Sequence, residues 1–203
     1  MAKRRSGRGS QYQWRKPRNL STKPRILIVC EGEKTEPNYF RKFRVPPNVV
    51  EVFGLGVDPR QLVDEAERLQ MEDRNGGFQQ VWCVFDRDSW PADNFTGAIF
   101  SAQSKGFRVA YSNQAFELWY LLHFHYYDTG IPRAEYISRL HGLLGKTYVK
   151  NSTTIYGDLF PHMETAIRNA ERLLTQYNPP DPAADNPSTT VHELVAELRK
   201  YSR

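Results

Sequence analysis

The chain has 203 residues, 39% of them apolar, which is enough for one good core and a helical extension but hardly for two independent domains. Two cysteines, Cys30 and Cys83, both inside apolar runs, fit buried side chains in a reducing compartment and exclude a disulfide framework or a cysteine-rich zinc site. No apolar run reaches the roughly 18 residues of a membrane span, so a soluble, cytoplasmic protein without a membrane partner is expected.

The formal charge of +5 is concentrated at one end. Nine of the 28 basic residues, and no acid, fall in the first 25, leaving 19 basic against 23 acidic residues in the rest. Arg4, Arg5 and Arg8, interleaved with Gly7, Gly9, Tyr12 and Trp14, make residues 1–23 a basic arm able to neutralise phosphates and stack on bases. The competing reading is a solvated leader.

Ile26 to Val29, four apolar residues of which three are β-branched, read as a strand buried on both faces. Gly32 breaks it where the acids Glu31 and Glu33 begin, and Thr35 and Pro37 suit the start of a helix. That helix runs on to Phe43, with Tyr39, Phe40 and Phe43 inward, and Pro46-Pro47 ends it. Val49 to Phe53 is a second strand. Pro59 to Met71 carries Leu62, Val63, Ala66 and Leu69 at helical spacing, and Asn75-Gly76-Gly77 closes it. Val81 to Phe85 is a third strand, ending in Asp86-Arg87-Asp88, followed by a helix over 93–105 and a fourth strand, Phe107 to Tyr111. Strands alternating with helices at this spacing predict a four-stranded parallel sheet flanked by helices.

Asn113 to Phe124 is apolar on most sides and reads as a buried helix, with Asn113 and Glu117, four residues apart, on one face. A carboxylate there must be paired, hydrogen-bonded or metal-bound. After about residue 126 the pattern is a helical extension: 134–143, a Lys-, Tyr-, Asn- and Thr-rich loop over 146–156, 162–177, and a last helix. Thr190 and Glu193 fit a capping box for that last helix.

Acids at the carboxyl ends of two core strands, Glu31 with Glu33 and Asp86 with Asp88, form an oxygen-rich site suited to binding Mg²⁺ or Mn²⁺, Glu31 among the ligands, and to displacement at phosphorus. No Gly-x4-Gly-Lys-Ser/Thr loop and no Gly-x-Gly-x-x-Gly is present, which argues against ATPase and dinucleotide sites.

The runs Val29-Cys-Glu-Gly-Glu-Lys-Thr-Glu36, Phe85-Asp-Arg-Asp88, Ser112-Asn-Gln-Ala-Phe-Glu-Leu-Trp119 and Asn186-Pro-Ser-Thr-Thr-Val191 together resemble the RloB-like family. The likeness runs from about Pro24 to the carboxyl end and departs at Gln114, where proline is expected. It implies a Toprim-like core in a protein associated with restriction and abortive-infection loci. By position it implies proton transfer by Glu31, or by Glu33 in its place, and metal binding by Asp86 and Asp88. Glu117 is the candidate for a further ligand or orienting group, with Asn113 beside it. Lys34, Lys146 and Lys150 are candidate nucleic-acid contacts. The reading is a metal-dependent nuclease acting on RNA, transfer RNA included, or DNA in anti-phage defence. The alternative is a non-catalytic or partner-activated subunit of a larger ATPase or restriction assembly. Nucleotidyl transfer ranks third.

Overall fold

A computed structural model describes residues 24–88 and 90–202; the arm with Arg4, Arg5 and Arg8 lies outside the described residues. The apolar run becomes β1 (Ile26–Cys30), all five residues buried. A loop leads to the short helix α1 (Thr35–Phe40), then β2 (Val50–Gly54), α2 (Pro59–Glu72), β3 (Gln80–Asp86), α3 (Ala92–Ser104) and β4 (Arg108–Asn113). The four strands are parallel in the order β2-β1-β3-β4. The chain leaves β1 toward β2 on one side and returns to β3 on the other. The strand order therefore reverses beside β1, and the crevice at the carboxyl ends of β1 and β3 is where such a sheet offers a ligand site.

Alternation along β1 sends Ile26, Ile28 and Cys30 to one face and Leu27 and Val29 to the other. Leu27 and Val29 pack with α2 and α3 through Leu62, Val63, Phe95 and Ala98. The opposite face is covered by α1, by α4 (Glu117–Leu122), and by the helices that follow: α5 (Arg133–Leu144), α6 (Ile155–Leu159), α7 (Met163–Leu174) and α8 (Val191–Arg199). Aromatic edges lock this layer: Tyr39 meets Phe40, Phe43 and Phe116 in T-shaped pairs, and Trp119 Nε1 donates to the Tyr39 hydroxyl at 2.8 Å. Both cysteines are buried free thiols. Among the described residues no helix is long and apolar enough to cross a membrane.

Four points differ from expectation. The sheet has a fifth strand, β5 (Ser188–Thr189), antiparallel to the end of β4, so the helices and loops after residue 126 also return a strand to the sheet. This strand has two polar residues and no apolar pattern. It is fastened by hydroxyls, with Thr189 Oγ1 donating to the Tyr111 carbonyl at 2.9 Å.

Asn113 closes β4 instead of opening a helix. Its backbone pairs with Ser188 and its amide donates to the Pro182 carbonyl at 3.2 Å, so it shares no helical face with Glu117. The Asn113–Gln114 peptide bond is cis. Thr35 does not cap α1, because its hydroxyl bonds Asn151 Oδ1 at 2.7 Å. Nor does Thr190 form a capping box. Its hydroxyl accepts from the Tyr111 N–H at 3.0 Å and donates to the Val109 carbonyl at 3.2 Å, tying α8 to β4.

Candidate functional site

The loop after β1 brings acids together by close approach. The Glu36 carboxylate lies where a Cβ on Gly32 would stand, so the glycine leaves the acid its place. Gly54, at the end of β2, is equally confined, since a Cβ would lie 2.6 Å from the carbonyl oxygens of Gly32 and Glu33. Glu36 sits in the first turn of α1 and is 5% exposed, and its Oε2 has no hydrogen-bond partner. A bare buried carboxylate oxygen is costly and needs a proton or a cation.

Three further carboxylates face the same space. Glu31 follows β1, where the Asp86 N–H donates to its Oε2 at 2.9 Å and Trp90 Nε1 to its Oε1 at 2.8 Å. Asp86 ends β3 and is buried, with Oδ2 accepting the Phe116 N–H at 3.0 Å. Glu117 opens α4, also buried, and accepts from the Tyr148 hydroxyl at 3.3 Å. Together they line a cavity of about 500 Å³ at the carboxyl end of the sheet.

Crowding of acids shows in their proton affinities. Burial pushes Asp86 well above the ordinary aspartate value, and the charges of Glu36, Glu31 and Glu117 push it further. Burial, then repulsion from Glu117 and Glu31, raises Glu36 to about 7, against relief from its own backbone N–H and from Lys150. Glu31 is raised by burial and by Asp88, while its two hydrogen bonds and Arg133 hold it down.

Positive charge enters from three sides. Arg133, the first residue of α5, forms an ion pair with Asp88, and Lys34 and Lys150 line the cavity mouth. The loop bearing Lys150 is clipped in place, since the Asn38 amide donates to the Asn151 carbonyl at 3.0 Å. Hard oxygen donors, one of them orphaned, are the right chemistry for Mg²⁺ or Mn²⁺. Their spacing is open: among the described residues no three His, Cys, Asp or Glu side chains are arranged closely enough to hold an ion as they stand.

The sequence matches the family model described as RloB-like protein over residues 26–198, nearly the whole described chain. The chain belongs to the RloB-like family. Searches of curated proteins and of solved structures gave no match.

In this RloB-like chain the cavity gathers most of the acids expected from sequence and rearranges their neighbours. Glu31, Asp86 and Glu117 converge, and Glu33 is an exposed residue at the rim. Asp88 also lines the cavity but is engaged by Arg133. Lys34 and Lys150 border the space; Lys146 does not, being paired with Asp158 at 2.7 Å. Asn113 belongs to the contact with the 182–183 segment, away from the acids. Tyr148 is buried against Glu117, and Tyr156 packs on Phe43.

Sequence reasoning missed Glu36, Trp90 and Arg133. Glu36 carried a readable signal, an acid in the first turn of a helix that starts beside two other acids. Trp90 and Arg133 carried none, because only the folded chain brings them to Glu31 and Asp88.

Proposed function

We propose that this RloB-like protein is a metal-dependent nuclease that hydrolyses phosphodiester bonds of RNA or DNA, with a Toprim-type acidic site, in defence against phage. One observation carries the reading: Glu31, Glu36, Asp86 and Glu117, from separate elements, line one cavity at the strand-order reversal, and three of them are raised in pKa. The cavity falls within the ~300–1,000 Å³ range typical of ligand sites, and a nucleotide-sized group fits that range.

Asp86, Glu36 and Glu117 would hold the ion, since both Glu31 oxygens accept hydrogen bonds and Asp88 is paired with Arg133. An Mg²⁺ or Mn²⁺ ion supplies charge opposite the phosphate oxygens and lowers the pKa of a bound water. Glu31 suits proton transfer. Burial raises its proton affinity above the ordinary glutamate value while the Asp86 N–H and the Trp90 indole fix its orientation, which suits a group that takes a proton from the attacking water or returns one to the leaving oxygen. Lys34 and Lys150 meet the polymer at the cavity mouth.

The test is cleavage of end-labelled RNA and DNA by purified protein with Mn²⁺. Asp86→Ala and Glu31→Ala should each lose activity by roughly 100-fold or more, and a chelator should stop the reaction. Chelator-resistant cleavage, or full activity in both variants, would contradict the proposal.

A further inference from the structure

The cavity presents a charge problem that the metal reading leaves open. Seven acidic side chains line it (Glu31, Glu33, Glu36, Asp58, Asp86, Asp88 and Glu117) against three basic ones, Lys34, Arg133 and Lys150. A phosphodiester approaching such a surface is repelled unless fixed positive groups receive it. The two lysines are exposed, and neither makes an ion pair or side-chain hydrogen bond among the described residues.

Arg133 is different. It starts α5 directly after Pro132, whose extended backbone aims the chain into the helix, and its guanidinium is engaged by Asp88 while the side chain stays 39% exposed. Asp88 is itself held in an unusual way. Its φ is +37, in the left-handed region that L residues rarely adopt, and its N–H donates to the Gln114 carbonyl at 2.9 Å. Such a conformation persists only where the surroundings fix it, and here the fixed carboxylate meets a guanidinium. A guanidinium carries five N–H donors in a planar fork, so a partner on one edge leaves donors free for an oxygen on another.

We infer that Arg133 is the phosphate clamp of the site, donating to a non-bridging oxygen of the phosphodiester, and that Asp88 orients that guanidinium instead of ligating the metal. The inference rests on the nuclease reading and reassigns one of the acids expected from sequence to bind metal. The geometry gives Asp88 Oδ2 a partner that competes with an ion for that oxygen. On this inference the metal falls to Asp86, Glu36 and Glu117 and the phosphate to Arg133, within one cavity.

Two titrations separate the two roles in turn. Mn²⁺ binding is measured by calorimetry. Polymer binding is measured by fluorescence anisotropy of a labelled single-stranded RNA and of DNA of the same sequence, with Ca²⁺ in place of Mn²⁺, across a series of salt concentrations. Arg133→Gln should weaken binding of one or both polymers by about 10-fold and reduce the slope of log affinity against log salt by about 1. Arg133→Lys should restore the slope while leaving affinity low, because it returns the charge without the fork. Asp88→Asn and Arg133→Gln should both keep Mn²⁺ affinity within about threefold of the parent, or tighter, whereas Asp86→Asn should lose it. An Arg133→Gln protein with parental polymer affinity and slope overturns the clamp, and an Asp88→Asn protein that loses Mn²⁺ as Asp86→Asn does overturns the reassignment; both leave the nuclease reading standing. A parent protein that binds neither Mn²⁺ nor polymer removes that reading and the clamp with it.

Discussion

The two faces of the sheet are built from different materials. On one face α2 and α3 bury only apolar side chains and proline, among them Leu62, Val63, Ala66, Phe95 and Ile99. On the other, α1 buries Glu36 and α4 buries Glu117 among aromatic rings, with His123 just beyond α4. The plain face contributes stability with no charge to desolvate. The other gives up stability to hold carboxylates out of water, as the proposed metal site would require.

The comparison breaks most sharply if the acids prove to be structural. Asp86→Asn should abolish cleavage by about 1,000-fold, roughly 4 kcal/mol of barrier. It should leave the thermal midpoint of the metal-free protein at about pH 8 unchanged or higher, because the amide oxygen still accepts the Phe116 N–H without a buried charge. Phe95→Ala on the plain face should do the reverse. It removes a fully buried ring from beside Phe85 and Tyr111 and costs about 3–5 kcal/mol of stability by denaturant titration, while the folded fraction keeps its Mn²⁺ affinity.

Proton linkage sharpens the contrast at smaller scale. Glu36 is raised in the folded state to about 7, so its contribution to stability is full below the ordinary glutamate value and is lost as pH rises through about 7. Metal-free protein should therefore lose about 1 kcal/mol from this group between about pH 6 and pH 8, and Glu36→Gln should flatten that dependence in denaturant titrations at the two pH values. Mn²⁺ affinity should fall as pH drops below about 7 for the same reason, since the ion must displace the proton.

His123 works with the opposite sign. Burial pushes its pKa down to about 4, against the hydrogen bond from Nδ1–H to the Trp119 carbonyl at 2.8 Å, so its contribution is present above about 6.5 and is lost as pH falls toward 4. The loss between about pH 7 and pH 6 is about 0.7 kcal/mol, and the His123 ring protons should keep neutral-form NMR shifts to below about pH 5.

The same division decided how much the sequence revealed. Strands covered on both faces read directly as apolar runs: β1 to β4 stand within a residue or two of expectation, and α2, amphipathic against the plain face, matches Pro59 to within one residue of Met71. On the charged face the pattern loses its period. The run from Ala115 to Leu122 is apolar on most sides, with Glu117 its single charge, so no period marked the helix start, and Asn113 was assigned to the wrong element. The strand β5 carries no apolar residue, and its pairing partner lies some 75 positions earlier in the chain. At the site, the strand-end acids Glu31 and Asp86 were legible because a strand terminus fixes where its next residue goes. Glu36 resembled an ordinary acidic helix start, and Arg133 reaches Asp88 only through the packing of α5.

On the proposed function these carboxylates are kept in the cavity for a hard divalent cation. Anomalous diffraction from crystals soaked in Mn²⁺ tests it most directly. A manganese peak is expected in the cavity, liganded by Asp86 with Glu36 or Glu117, and absent from Asp86→Asn crystals. A cavity without manganese under conditions in which the protein binds the ion elsewhere would contradict it.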